Sequence, residues 1–323
     1  MTDNFGRTID YLRVSVTDRC NLRCVYCMPE DGVDFIHHGE ILRFEEILRL
    51  CRILAGQGIG KVKVTGGEPL VRRGVTKFIG ELKQIPGIEQ VTLTCNGTLL
   101  PEHLDDLISA GLDGVNVSLD AVNPAVFSRI TRGGEPHGAL LAVGRAAKLG
   151  LPVKVNCVPV REFNGGEILS VAALARDKDI AVRFIELMPL GDAGMYHVIP
   201  ADEIKRMLMR EYGELIPFSG RLGNGPAVYY KLSGFRGKIG FISAVSCDFC
   251  KSCNRLRLTS HGLLKPCLAH EGGLQVKTML RGGESDEEIA KKIVGFVTGK
   301  PRGHEFSSDK EDNRHEGMFR TGG

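Results

Sequence analysis

Six strand-like segments separated by helix-like ones occupy the first two-thirds of the chain, and the six alternate polar with apolar residues. The strand candidates are Leu12–Thr17, Lys61–Thr65, Gln90–Asn96, Gly114–Asp120, Val153–Val158 and Val182–Met188. Between them run helical patterns such as Phe44–Gln57, Val75–Gln84, Pro101–Ala110, Gly138–Leu149 and Glu167–Lys178. Several open near Pro or polar residues and close near Gly, as helix starts and stops require. Repeated β/α units argue for a parallel sheet, either doubly wound or curled into a barrel. A parallel strand with helices over both faces reads as an unbroken apolar run, and these strands do not. Arg13, Ser15 and Thr17 share one face of the first, Lys61, Lys63 and Thr65 one face of the second, and Thr92, Thr94 and Asn96 one face of the third. Asn116, Ser118 and Asp120 follow on the fourth and Lys154 with Asn156 on the fifth; Glu186 and Met188 share a face of the sixth, where the pattern is weakest.

Successive side chains of a strand point to opposite sides, so such a sheet has an apolar face for helices and a polar face for a lumen or cleft. A closed eight-stranded barrel fills its interior with branched apolar layers. The expectation is therefore an α/β fold, an incomplete and open (β/α)6 barrel of TIM type, over residues 1–220. An antiparallel sheet with one wet face would alternate in the same way, but it would lack the intervening helices. Past residue 220, Tyr229–Leu232, Lys238–Val245, Arg255–Thr259 and Leu263–Leu268 read as short strands between Gly turns. Helical stretches follow around Leu274–Leu280 and Asp286–Phe296. Residues 221–299 are expected to pack on the barrel as a C-terminal extension. Residues 300–323, polar and aperiodic, are expected to form a flexible tail.

With 42% hydrophobic and 25% charged residues, the chain reads as a soluble globular protein. No apolar run approaches the ~18 residues that span a bilayer, and Met1–Arg7 lacks a signal-peptide pattern, so the cytoplasm is the expected compartment and no membrane contact is expected. A net charge of +3, without Trp or a basic stretch carrying aromatics, argues against nucleic-acid binding. Both a monomer and a homodimer are compatible with this composition. Ten cysteines in a reducing compartment point to metal or cluster ligation for those that group. Cys20, Cys24 and Cys27 form one group, and Cys247, Cys250, Cys253 and Cys267 another. Cys51, Cys95 and Cys157 stand alone and read as small buried hydrophobes.

The first group supplies three thiolates in a C-x3-C-x2-C spacing. Structural zinc sites close with four ligands, whereas a 4Fe–4S cubane held by three cysteines keeps one iron open. Zinc with a fourth ligand from His37 or His38 is the alternative. In the second group Cys253 and Cys267 are separated by thirteen residues across a hairpin; a zinc ribbon completed by Cys247 would use the same residues. Lys63 and Lys154 suit phosphate oxygens as point charges, and arginines offer planar forks for bidentate contacts. Arg72 and Arg73, after the Gly66-Gly67-Glu68-Pro69 turn, suit either phosphate steering or a solvated helix start.

Cys20-x3-Cys24-x2-Cys27, with Tyr26 before its last cysteine, resembles the cluster motif of the radical S-adenosylmethionine (SAM) superfamily. Thr65-Gly66-Gly67-Glu68-Pro69 resembles that superfamily's GGEP segment. The run Phe249-Cys250-x2-Cys253 to Thr259, followed by Cys267, closely resembles the C-terminal cluster segment of the GTP 3′,8-cyclase family of molybdenum cofactor biosynthesis. Members of that family also end in two glycines, as this chain does at Gly322-Gly323.

The resemblance implies two 4Fe–4S clusters, on Cys20, Cys24 and Cys27 and on Cys250, Cys253 and Cys267, with Cys247 outside the pattern. SAM would meet the first open iron, and the guanine of GTP the second. Tyr26, Gly67, Ser118 and Met188 would contact SAM. Arg13, Lys63, Thr94, Lys154, Arg255, Leu256 and Arg257 would bind substrate, with Arg13, Gly322 and Gly323 catalytic. The implied chemistry is SAM cleavage, hydrogen abstraction from C3′ of GTP and closure onto C8. Implied partners are a flavodoxin- or ferredoxin-like electron donor and a downstream cyclic pyranopterin monophosphate synthase. Another radical SAM enzyme with an auxiliary cluster, such as a peptide maturase, and a zinc-binding interaction module are the alternatives.

Overall fold

A computed structural model describes residues 1–220, 222–246, 249–270, 272–304 and 318–321. The six expected strands form as β1 (Tyr11–Ser15), β2 (Lys61–Thr65), β3 (Gln90–Cys95), β4 (Gly114–Ser118), β5 (Val153–Cys157) and β6 (Ala181–Ile185). They pair in parallel and in chain order. The C-terminal strands are β7 (Leu215–Phe218), β8 (Val228–Leu232), β9 (Lys238–Ile242), β10 (Arg255–Leu258), β11 (Leu263–Lys265) and β12 (Leu274–Gln275).

These later strands do not pack on a six-stranded barrel as a separate extension. β10 joins the free edge of β1 in parallel and β9 joins the free edge of β6. The result is one sheet in the order β12-β11-β10-β1-β2-β3-β4-β5-β6-β9-β8-β7, whose eight central strands are parallel. β11 and β12 at one end and β8 and β7 at the other are antiparallel. Eight strands at ~4.8 Å spacing would span about 34 Å if flat. Yet residues of β10 and of β9 line the same cavity. The sheet is therefore curled around a lumen and left open.

The apolar strand faces sit under helices, as the alternation requires. Leu12, Val14, Val62, Val64, Val91, Leu93, Val115 and Val117 are buried in one continuous core with Leu54, Phe78, Ile79, Leu104 and Leu107 of the covering helices. Each such side chain contributes roughly 1.5–3 kcal/mol on burial. Helix Phe44–Ala55 opens with a capping box in which the Glu46 carboxylate accepts from the Arg43 amide at 2.7 Å. Cys51, Cys95 and Cys157 are buried in the same core and bond to no other cysteine, in line with their reading as small hydrophobes.

The sixth strand departs from the expected face. β6 ends at Ile185, and Arg183 and Ile185 point into the lumen. Glu186 and Met188 reach the cavity from the connection that follows, not from strand parity. The stretch after residue 300 departs too: Lys300 is only 2% exposed, and residues 300–302 are held by hydrogen bonds from Arg7. Further on, helix Met318–Thr321 brings Phe319, itself buried, to the cavity wall. Helix Ala201–Tyr212 and β7 form where no element was expected. Among the described residues no helix is long and apolar enough to cross a membrane.

Candidate active site

β1 runs from Tyr11 to Ser15 and feeds the first cysteine loop directly. That loop closes on itself where the Cys27 and Met28 amides donate to the Cys24 carbonyl at 2.9 and 3.0 Å. Its outer side is pinned by amide bonds from Arg23 and Val25 to Thr131 and Ile130 and by the Arg132 guanidinium, which donates to Met28 O at 2.7 Å. Its inner side is stitched to the segment after β2: the Gly67 amide donates to Thr17 O at 2.7 Å and Glu68 to Arg19 O at 2.8 Å. A Cβ on Gly67 would lie 2.4 Å from the Arg19 carbonyl oxygen. Only glycine permits that approach. The Glu68 carboxylate accepts from the amides of Leu70 (3.0 Å) and Asn96 (2.6 Å), tying the same segment to the end of β3, and burial lifts its pKa to about 7.

Cys20, Cys24 and Cys27 all line the cavity. Cys20 Sγ accepts from the Leu22 amide at 3.4 Å and from Asn96 Nδ2 at 3.9 Å. Burial raises all three thiols, Cys27 to about 12 and Cys24 well above its ordinary value; Asp120 and the neighbouring thiols add to the shift of Cys24 and Cys27, and Glu68 to that of Cys20. Tyr26 donates to the Asp120 carboxylate at 2.6 Å, and burial lifts Asp120 to about 6 against the Val158 amide bond at 2.8 Å. Gly67, Ser118 and Met188 line this same end of the cavity.

Cys250 and Cys253 sit on a single turn of 3-10 helix, Cys250–Ser252, in which the Cys253 amide donates to Cys250 O at 3.1 Å. Cys267 follows β11, whose antiparallel pairing with β10 returns the chain to the same end. All three line the cavity. Here the surroundings are cationic: Arg255 and Lys300 outweigh burial and bring Cys253 down to about 7. Arg255 pairs with Tyr11 at the start of β1, so this set lies at the opposite end of the strands from the first. Five residues at ~3.3 Å each put roughly 17 Å of β1 between the two ends.

Among the described residues no three His, Cys, Asp or Glu side chains converge closely enough to hold one metal ion. A zinc ion with Zn–S bonds near 2.3 Å draws its thiolates to within about 4 Å of one another; a cubane, with a separate iron for each cysteine, needs them spread apart. Three thiols on one amide-rich loop, disfavoured as bare thiolates by burial and awaiting positive charge, suit an iron–sulfur cluster. The second set already has the cations Arg255 and Lys300 beside Cys253.

Between the two ends the lumen is lined by cations. Arg13, Lys63, Lys154, Arg183 and Arg257 point inward from β1, β2, β5, β6 and β10. Burial, then mutual repulsion, pulls Lys63 and Arg257 well below their ordinary values, Arg13 to about 10 and Lys154 to about 8. Arg183 donates to Asn156 Oδ1 at 2.9 Å through Nε and 2.5 Å through Nη2. With its carboxamide oxygen turned inward, Asn116 accepts from Lys63 Nζ, from Arg183 at 3.2 Å and from Thr94 Oγ1 at 3.3 Å. Among the described residues no carboxylate pairs with Lys63, Lys154 or Arg183. A cavity of ≈ 330 Å³ that gathers cations and holds them with neutral amides is built for a polyanion.

Of the residues expected to bind substrate, Arg13, Lys63, Thr94, Lys154, Arg255 and Arg257 meet in this cavity. Leu256 does not: alternation between Arg255 and Arg257 turns its side chain into the apolar core, in register with Leu12. Arg72 is no phosphate ligand, because its guanidinium donates to Val16 O at 2.5 Å and Leu42 O at 2.7 Å and stacks on Phe44. Arg73 is not among the cavity residues either. Gly322, Gly323 and Cys247 lie outside the described residues. Sequence reasoning missed Arg183, although a lone charge in the apolar run Ala181–Ile185 was its signal. It also missed Tyr11 and the Gly-rich connection 222–226, which closes the lumen beside Lys154.

Comparison with known proteins accords with this geometry. The family model described as Radical SAM superfamily matches residues 14–175, and Molybdenum Cofactor Synthesis C matches residues 180–306. The chain is 44% identical over 327 residues to the GTP 3′,8-cyclase of Syntrophomonas wolfei subsp. wolfei, with all of both chains covered. It is 45% identical over 329 residues to the GTP 3′,8-cyclase of Pelotomaculum thermopropionicum, again over the full length of both. Among solved structures, Streptococcus suis SuiB bound to precursor peptide SuiA superposes with a TM-score of 0.60 at 12% identity, covering 94% of this chain and 76% of that one. That likeness concerns the fold alone.

Proposed function

The chain belongs to the radical SAM superfamily and, within it, to the GTP 3′,8-cyclase family, and from that premise we propose how its residues divide the work. It converts GTP to (8S)-3′,8-cyclo-7,8-dihydroguanosine 5′-triphosphate, the first step of molybdenum cofactor biosynthesis. Residues 1–220 form the partial barrel, which carries the first thiol set and part of the substrate site, 221–299 carry the second thiol set with the rest of that site, and 300–323 are the tail.

Cys20, Cys24 and Cys27 would hold a 4Fe–4S cluster, which with SAM would supply the 5′-deoxyadenosyl radical. The Gly67 backbone, Tyr26, Ser118 and Met188 hold SAM at that end of the lumen. Cys250, Cys253 and Cys267 would hold a second 4Fe–4S cluster at the other end, and Arg255 and Arg257 bind the guanine end of the substrate there. Lys63, Lys154 and Arg183 bind the triphosphate with charge-assisted hydrogen bonds, about twice as strong as neutral ones. Thr94 and Asn116 orient the same group.

Hydrogen abstraction from C3′ needs the reacting atoms about 3–3.5 Å apart. Anchoring the nucleotide at both ends is how the lumen meets that demand. Closure of the sugar radical onto C8 leaves the base one electron and one proton short. Arg13, on the lumen face of β1, supplies the proton. Gly322 and Gly323 take a catalytic part in the cyclisation. The electron comes from a flavodoxin- or ferredoxin-like protein in the cytoplasm, and the product passes to a cyclic pyranopterin monophosphate synthase. The enzyme acts as a monomer or homodimer.

The observation that carries this reading is the pair of thiol sets at opposite ends of one cation-lined lumen. Reduced, anaerobically reconstituted enzyme given SAM and GTP deuterated at C3′ tests it. Deuterium should appear in 5′-deoxyadenosine in step with cyclised nucleotide. Deuterium-free 5′-deoxyadenosine with GTP unconsumed, or turnover of a peptide instead, would overturn it.

A further inference from the structure

The N-terminal turn carries a buried arginine that serves the far end of the chain. Asp3 Oδ1 accepts from the amides of Phe5 (2.9 Å) and Arg7 (3.0 Å), and Asp3 Oδ2 takes Arg7 Nε at 2.5 Å. The rest of the guanidinium points away from Asp3 and, among the described residues, donates to backbone carbonyls. Nη1 reaches Cys250 O at 2.8 Å and Arg302 O at 2.9 Å, and Nη2 reaches Pro301 O at 2.5 Å and Lys300 O at 3.4 Å. Lys300, 2% exposed, then sends its ammonium to Arg255 O at 3.0 Å and to Pro266 O.

These contacts fall in a pattern. Cys250 and Cys253 share one turn, Cys267 returns to them only through the β10–β11 hairpin, and no disulfide ties the arms together. Arg7 grips the carbonyl of Cys250 itself. Lys300 grips one carbonyl two residues past Cys253 and another one residue before Cys267, and so bridges the two arms of the set. The two cations are joined because Arg7 holds the backbone of Lys300. Burying an ammonium is costly unless it is paired, and among the described residues no carboxylate hydrogen-bonds Lys300. Its compensation comes from the two carbonyls, and the charges of Cys253 and Cys267 favour the ammonium against burial.

We propose that Lys300 and Arg7 are positioning residues for the second thiol set. Lys300 locks the Cys253 and Cys267 arms at the spacing an iron–sulfur cluster needs and sets a fixed positive charge behind it. Arg7 fastens the Lys300 segment to Cys250. This rests on the two-cluster reading given above. Groups of this kind behind a metal site typically change metal affinity about 10–100-fold when removed. A positive charge near a cluster favours its reduced state, so removing it lowers the midpoint potential.

The test uses the full chain with Cys20, Cys24 and Cys27 changed to Ala, so that only the second set binds iron. Into it go Lys300→Met, which keeps the length and loses the charge, and Lys300→Arg, which keeps the charge. Iron retention against a chelator and the midpoint potential are read for each. Lys300→Met should lose iron at least about tenfold more readily and shift the remaining signal to lower potential, while Lys300→Arg holds the parent's potential. Arg7→Met should loosen iron without the charge-dependent shift. Lys300→Met in the chain with all its cysteines should keep its first-set iron, showing that it still folds. Unchanged retention and potential in Lys300→Met would overturn the proposal. A parent without iron would overturn the two-cluster reading itself, and this inference with it.

Discussion

The two thiol sets share one cavity and differ in almost everything else. Cys20, Cys24 and Cys27 ride on a single loop after β1, closed by its own amides, and their surroundings push the thiols' pKa upward. Cys250, Cys253 and Cys267 are gathered from a 3-10 turn and the end of a hairpin, held by two distant cations, and Cys253 is drawn down to about 7. The first site is local, and the arginines beside it, Arg23 and Arg132, donate to carbonyls of the same loop. The second is a tertiary assembly that carries its charge in the protein.

The largest effect that should separate the sets comes from Cys24→Ala. It should abolish 5′-deoxyadenosine formation and cyclisation alike; persistent 5′-deoxyadenosine in a chromatographic assay would break the assignment of the first set. Cys250→Ala or Cys267→Ala should abolish cyclisation while 5′-deoxyadenosine still forms, with iron falling by about half as two cubanes become one. Loss of both activities would mean that the two ends are not separable. Lys63→Met removes one charge-assisted contact from the lumen between them, and KM for GTP should rise about 10–100-fold with SAM cleavage intact in a GTP-free assay.

The smallest effect is one of pH. Burial, then Arg183, brings Lys154 down to about 8. The protonated form binds phosphate, so charge is present below that pH and lost above it. Free-enzyme groups govern kcat/KM, and kcat/KM for GTP should fall up to about tenfold from pH 7 to pH 9. Lys154→Arg should flatten that limb; an unchanged limb would assign it to another group.

The same contrast decides what was legible in the sequence. Period-two alternation exposed the lumen face of β1 to β5 because helices cover the other face, and Arg13, Lys63, Thr94, Ser118 and Lys154 all point where it put them. The C-x3-C-x2-C spacing announced the first set because its ligands lie on one turn of chain. β9 and β10 reach the sheet edges through pairings more than fifty residues away in the chain, and no local pattern records that. Lys300 stands in a polar, aperiodic stretch that reads as solvated tail; only its distant carbonyl partners make it a buried residue. Arg183 was hidden by a misjudged strand end, since running β6 on to Met188 inverted the parity. Leu256 was carried along with its neighbours although its own position in the alternation pointed it into the core.

The central claim, two iron–sulfur centres of different duty facing one lumen, is tested most directly by electron paramagnetic resonance on two half-loaded enzymes. One lacks the thiols of Cys250, Cys253 and Cys267, and the other those of Cys20, Cys24 and Cys27. Each is reduced and then titrated with SAM and with GTP. The account predicts that SAM perturbs only the spectrum of the first-set cluster and GTP only that of the second. GTP perturbing the first-set cluster, or leaving the second-set spectrum unchanged at saturation, would contradict it.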